Sequence, residues 1–319
     1  MKKLLKRIIL GIILLLTLLI AGLYFYGPQF NLYLIPPKPQ QYAEIALDKM
    51  DDVGIFTDSK KWEIEKKATL KEVKHAQTYE ETLPYLEAAL TVAGGKHSFI
   101  VKSNAESEQN ETSEYIEPYA EIKDGLLFLT VPKFSGNQEQ AITYANSIES
   151  ALHTNDYQAI IVDLRQNTGG DMTPMILGLS PIIPDGVLFT YVDKQGAELP
   201  VTLKEGTLDS GNSPITLKNH TKVKEVPIAL LIDHQTGSSG ELTTLCFKDL
   251  PNVTLFGEDS AGYTSANQEI YLYDGTIMQV TNAFIKDRAG TLYKNEPIQP
   301  DVLAKDSQQS AKDWLKKNK

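Results

Sequence analysis

The stretch VPIALLIDHQTGSSGELTTL, residues 226–245, decides how this chain is read. Val226 to Ile232 carry no charge and are aliphatic apart from Pro227, which describes a strand buried on both faces rather than an alternating one. Asp233 to Gly240 then crowd polar residues and glycine into a corner, and the chain continues from Glu241 as a helix. A buried strand that turns through a tight corner into a helix is a building block of an α/β sheet. Ser238 and Ser239 sit in that corner between Gly237 and Gly240. Ser238 can cap the helix, with Glu241 completing a capping box. It can also present its hydroxyl to a cleft, where backbone N–H groups at the helix start are free to hold an anionic oxygen. The two roles are compatible, and the local sequence leaves both open. The corner is not a G-x-S-x-G elbow: the glycine position before Ser238 is held by Thr236, and the glycine position after Ser239 by Glu241.

Around this corner the same pattern repeats. DGLLFLTVPKF (124–134), YQAIIVDLRQNTGG (157–170) and NVTLFGE (252–258) read as strands. NQEQAITYANSIESALHT (137–154) and TPMILGLSPII (173–183) read as helices between them. Residues 186–203 alternate like a hairpin or two edge strands, and QEIYLYDGTIMQVTNAFI (268–285) reads as a hairpin turned at Asp274-Gly275. Upstream, residues 42–56, 60–76 and 79–95 carry apolar side chains three and four apart, the spacing of helices. HSFIVK (97–102) is a short strand, and SNAESEQNETSE (103–114) a polar surface loop.

The first residues belong to a different environment. Lys2, Lys3, Lys6 and Arg7 precede the uncharged run from Ile8 to Tyr26, 19 residues long. That length crosses about 30 Å of hydrocarbon. The flanking cations place its N-terminal side in the cytoplasm, and Tyr24, Phe25 and Tyr26 suit the far interface. A cleaved signal peptide is the competing reading, but LIAGLYFYGP offers no good cleavage site. The remaining chain is then outside the cell, with 27 basic against 41 acidic residues, a net charge of −14. That excess argues against nucleic-acid binding and against docking on anionic lipid. One cysteine, Cys246, precludes an internal disulfide. Five histidines without an H-E-x-x-H or C-x-x-C pattern point to no metal, and no cofactor is expected.

Four segments in order carry a resemblance: DLRQNTGGD (163–171), LLIDHQTGSSGELTTL (230–245), LFGEDSAGYTS (255–265) and IQPD (298–301). They resemble the tail-specific, or C-terminal processing, serine peptidases and the tricorn core peptidases over roughly residues 80–303. The resemblance implies an α/β fold of crotonase-like (ClpP/crotonase-type) topology, a mixed sheet flanked by helices. It also implies a serine nucleophile at Ser238, with the Ser239 N–H as one oxyanion donor and Gly169 or Gly170 as the other. A PDZ module, frequent in the family, has no room in the roughly 20 residues between HSFIVK and DGLLFLTV.

One branch of that family uses a lysine base 25 residues after the serine; that position is Tyr263 here. The tricorn-like branch uses an upstream histidine, which maps to His97 in AGGKHSF, and neutral imidazole suits a serine hydroxyl. That branch has a helper serine just before the histidine; here Lys96 precedes His97, and Ser98 follows it. His234, four residues before Ser238, is the rival base. The acid that orients the base is expected before the PD pair, at Glu296 or Asp287, although the strict offset falls on Lys294. His234, Tyr263 and Ser98 are candidates for lining the substrate cleft.

The expected organisation is a cytoplasmic tip and transmembrane anchor (1–27), a Pro-rich spacer (28–41), a helical subdomain (42–96), a peptidase domain (97–308) and a C-terminal tail (309–319). The expected function is a membrane-anchored extracellular serine endopeptidase acting on peptides or proteins. The alternatives are a catalytically inactive module that binds peptide or lipid on the same fold, and a hydrolase of non-peptide esters or amides.

Overall fold

The structure is a computed structural model that describes residues 2–102, 115–154, 156–209, 215, 217 and 219–318. The acidic stretch 103–114, read above as a surface loop, lies outside the described residues. The chain forms two compact units: Met1–Ala105 with Asn267–Asn282, and Glu106–Ala266 with Ala283–Lys319.

The first unit opens with helix α1, Lys2–Tyr26, an apolar helix with no part of its membrane-length window buried. Such a helix is compatible with a single-pass anchor or a signal sequence. Helices α2 (Pro39–Val53), α3 (Lys60–Glu72) and α4 (Leu83–Gly94) follow. Pro39 stands in the first turn of α2, where its missing N–H costs nothing. Helix α2 therefore begins inside the stretch expected to be spacer. The Ser59 side chain accepts from the Trp62 N–H and caps α3. Strand β1, Phe99–Val101, ends this part of the chain.

The second unit begins with a hairpin of β2 (Tyr119–Lys123) and β3 (Leu126–Thr130). Asp124 and Gly125 turn it with φ of 55° and 73°. This is the left-handed pair that a two-residue hairpin needs. Beyond it come α5 (Gln138–Leu152), β4 (Ala159–Asp163), α6 (Met172–Leu179), β5 (Gly186–Asp193), β6 (Glu198–Lys204) and β7 (Thr207–Leu208). Then follow β8 (Ile228–Ile232), α7 (Ser239–Phe247) and β9 (Val253–Gly257). Asn137 and Gln140 close a capping box at the start of α5.

Strands β10 (Ser265–Tyr271) and β11 (Ile277–Asp287) carry the chain into the first unit and back. In the first unit β1 pairs antiparallel with the start of β11, Phe99 opposite Gln279. The core there joins α2, α3 and α4 to the hairpin through Tyr42, Leu47, Trp62, Leu86, Met278 and Val280. The end of β11 belongs to the second unit, where it pairs with β5 and with β12 (Leu292–Tyr293). Strand β13 (Val302–Leu303) and helix α8 (Ser307–Asn318) complete the chain.

The main sheet of the second unit has the order β13-β9-β8-β4-β3-β2. All neighbours are parallel except the edge strand β2. Its residues divide strictly by parity. Ile160, Val162, Ile228, Leu230 and Ile232 face a core shared with α5, α6 and α7. Ala159, Ile161, Ala229 and Leu231 face a second core with Ala311 and Leu315 of α8. This two-sided burial is why β4 and β8 read as continuous apolar runs. Sequence analysis expected one sheet with helices on both faces. Residues 186–203 instead open a separate antiparallel sheet, in which β6 buries alternate residues, Val201 and Leu203, while β5 buries Leu188, Phe189 and Thr190 in succession beside a register shift. Residues 309–319, read as a tail, lie largely within α8.

Helix α8 is a cover for the sheet, and Leu315 tests this. Leu315→Ala should lower the free energy of urea unfolding by about 2–4 kcal/mol. A change below about 0.5 kcal/mol would mean that the helix packs against nothing.

Candidate active site

Two adjacent strands of the main sheet, β4 and β8, end in loops that are stitched together. Asp163 holds the first loop by a fork: Arg165 Nε donates at 2.8 Å and Nη2 at 2.6 Å. Asp233 Oδ1 accepts from the backbone N–H groups of Gln166, Gln235 and Thr236, each at 3.0 Å. The Thr236 hydroxyl donates to the Leu164 carbonyl at 2.9 Å, and the Gly237 N–H to the Asn167 carbonyl at 3.0 Å. Asn167 is fully buried; its side chain donates to the Val131 carbonyl and accepts from the Gly169 N–H at 3.0 Å.

Ser238 stands at the tip of the second loop with φ 52° and ψ −120°. An ordinary N-cap residue holds β-region angles. Ser238 occupies instead a region that non-glycine residues avoid, and such strain gathers where function demands a fixed geometry. The residue is half-buried and reachable, whereas Ser239 is buried. The Ser239 hydroxyl donates to the Gly170 carbonyl at 2.5 Å. That difference separates the two serines: one hydroxyl serves the scaffold, and the other sits on the strained tip.

Glu241 explains how the strain is held. Its fully buried carboxylate accepts four hydrogen bonds. Oε2 takes the N–H groups of Ser238 at 2.9 Å and Tyr263 at 2.7 Å. Oε1 takes the Gly262 N–H at 2.7 Å and the Ser260 hydroxyl at 2.5 Å. Burial holds this carboxyl above its usual range, and the four hydrogen bonds offset only part of that rise. The Ser260 hydroxyl in turn accepts from the Ile298 N–H. The Glu241 side thus satisfies the capping-box expectation and also ties the serine corner to the segment 260–263.

Gly169 and Gly170 lie against this corner with φ of 110° and 101°. A Cβ on Gly169 would stand 2.9 Å from Ser238 Cβ and 3.1 Å from the Ser239 nitrogen. A Cβ on Gly170 would strike the Phe134 carbonyl. The Gly169 N–H is already donated to Asn167. The Phe134 bridge uses the Gly169 carbonyl and the Asp171 N–H, so the exposed Gly170 N–H makes no hydrogen bond among the described residues. Tyr263 is half-buried, with its ring 3.3 Å from where a Gly237 Cβ would be.

The other expected residues have the following surroundings. The His234 side chain is 69% exposed, and its Nδ1 is hydrogen-bonded to Glu258 Oε2 at 3.0 Å on the surface. The Asp287 side chain is fully buried and accepts from the Thr291 N–H at 2.8 Å, with Lys248 Nζ at 3.8 Å. It therefore serves the β11–β12 turn. Glu296 is exposed, and its carbonyl accepts from the Thr264 hydroxyl. His97 and Ser98 belong to the first unit. His97 is half-buried, its carbonyl accepting from Asn267 Nδ2 at 2.7 Å. Ser98 is buried, its hydroxyl bonded to Thr281 Oγ1 at 3.0 Å and accepting from the Thr281 N–H at 2.9 Å. Sequence reasoning missed the organising roles of Asn167 and Asp233. The available signal was a polar side chain at or shortly after the end of each buried strand: Asp233 directly follows β8, and Asn167 lies in the loop after β4. No cluster that could hold a metal ion occurs among the described residues.

The profile of peptidase family S41 matches residues 125–304, which span both strand-end loops and the Glu241 segment. The chain belongs to peptidase family S41. A Nisin-resistance protein of Lactococcus lactis subsp. lactis is 52% identical over 311 residues, 98% of each chain. Carboxyl-terminal-processing peptidase 2 of Arabidopsis thaliana, a chloroplastic protein, is 25% identical over 174 residues, 54% of this chain and 31% of that one. Among solved structures, a lipoprotein from Streptococcus agalactiae has a TM-score of 0.78 and 33% identity, covering 89% of this chain and 98% of its own. The photosystem II D1 C-terminal processing protease has a TM-score of 0.59 at 13% identity, covering 85% and 94%, a likeness of fold. Membership in S41 makes this S41 chain a serine peptidase by family, and the α/β architecture with mixed sheets accords with its neighbours.

Glu241→Gln places an NH2 group against two backbone N–H donors that now share one carboxylate oxygen. The substitution should cost about 2–4 kcal/mol in denaturant unfolding. A loss below about 0.5 kcal/mol would show that the carboxylate does not hold the corner.

Proposed function

We propose that the chain is a membrane-anchored serine endopeptidase of tricorn-like type whose catalytic part lies outside the cell. Helix α1 is its single-pass anchor, with the N-terminus in the cytoplasm, and the fold is the crotonase-like one. The observation that carries the reading is the strained backbone of Ser238 at a strand-to-helix corner, held by Glu241. Ser238 Oγ attacks the peptide carbonyl. His97 accepts its proton and returns it to the leaving amine, which completes an acyl-enzyme that water then hydrolyses. The N–H groups of Gly170 and Ser239 hold the oxyanion, since the Gly169 N–H is taken by Asn167. Glu296 is the acid proposed to orient His97, because Asp287 is occupied by its own turn. Tyr263 is proposed to shape the cleft. The extensive identity to a Nisin-resistance protein supports nisin as a substrate.

A second reading, a peptide-binding module without turnover, is favoured by Tyr263 at the lysine position of the other branch. A fluorophosphonate probe and nisin, followed by intact mass, separate the two. The expected result is one adduct on Ser238, absent in Ser238→Ala, and cleaved nisin. His97→Ala should slow both reactions about a thousandfold or more. Binding of nisin with neither adduct nor cleavage would establish the module instead.

A further inference from the structure

The uncharged run that begins at Ile8 does not stop at the end of α1; it continues to Pro37. Helix α1 alone has 25 residues. At about 1.5 Å each it exceeds a hydrocarbon core of about 30 Å. The stretch FNLYLI, residues 30–35, therefore follows the helix at the level of the lipid headgroups. Phe30 is 73% exposed, Leu32 56%, Leu34 50% and Ile35 59%. Between them Tyr33 turns inward, its ring 5.0 Å from that of Tyr273.

This stretch was expected to be a spacer, yet it is strapped to the first unit along its length. The Leu32 N–H returns to the Gly27 carbonyl at 2.9 Å. Lys49 Nζ donates to Asn31 Oδ1 at 2.8 Å, and the Tyr79 hydroxyl to the Pro37 carbonyl at 2.7 Å. Tyr79 stacks on Tyr42 at 4.4 Å, and the Tyr42 hydroxyl reaches Asp274 at 3.0 Å. A tether needs no such fastening. Isolated exposed leucines are ordinary, but here four large exposed apolar side chains fall within six residues, just beyond the bare helix α1 in the chain.

We propose that Phe30, Leu32, Leu34 and Ile35 insert into the outer lipid interface, so that the first unit is seated on the bilayer instead of swinging above it. The occupant is lipid because these side chains follow the membrane-spanning helix in the chain and carry no charge to recognise a partner. Seating also fixes the height of His97 above the bilayer, since His97 belongs to this unit. The inference rests on α1 crossing the membrane.

The full chain in liposomes tests it, with an environment-sensitive dye on Leu34→Cys or, as reference, on Leu16→Cys within α1. The native Cys246 is fully buried, so the dye reports one site. Lipid bearing a shallow nitroxide should quench the Leu34→Cys dye about twofold or more, and aqueous iodide should quench it far less than free dye. Iodide quenching equal to free dye, with no quenching by nitroxide lipid, overturns the seat if Leu16→Cys is still quenched by a deep nitroxide. If the Leu16→Cys dye is also untouched by lipid, α1 does not span and both statements fall.

Discussion

The carboxylate of Glu241 is the contact on which the site depends. It is buried, it is saturated by four donors, and those donors come from two different segments of the chain. A serine with φ 52° and ψ −120° stores strain that a free loop would relax. Here relaxation would break the Ser238 N–H bond to Glu241 and leave a buried carboxylate oxygen short of a partner, which costs more than the strain. The same residue that a sequence reader sees as half of a capping box is thus the brace of the corner.

Beneath that brace lies a sheet with two cores. Parallel neighbours β3, β4, β8 and β9 bring the loops after β4 and β8 side by side, and the parity of their side chains lets helices pack on both faces. This arrangement supplies stability without a disulfide, in a chain with a single buried cysteine. It also leaves the loops short and densely hydrogen-bonded, with Asn167 and Asp233 serving as hubs.

The two serines of the corner illustrate the limit of local sequence. Ser238 and Ser239 are indistinguishable by type. Their hydroxyls diverge only because α7 begins at Ser239 and turns its side chain onto the Gly170 carbonyl. Gly169 and Gly170 diverge in the same way. Asn167 claims one amide and leaves the other, a choice made by a side chain two residues upstream.

Much was legible from the sequence alone. Unbroken apolar runs identified β4 and β8, because a strand covered on both faces has no polar side to show. Spacing identified the helices, and the uncharged start identified α1. Order and spacing of the four segments indicated the peptidase family. Tertiary structure alone decided the rest. A second antiparallel sheet, the packing of α8 and the strapping of residues 27–38 depend on contacts between residues far apart in the chain. His234 was a plausible base by position, but its pairing with Glu258 on the surface is set by the neighbouring strand β9. Asp287 was a plausible acid by composition, but the turn it closes consumes its oxygens. Sequence lists which groups are available; only the folded chain shows which of them already have partners, because a hydrogen-bonding group is spent by the nearest donor or acceptor in space.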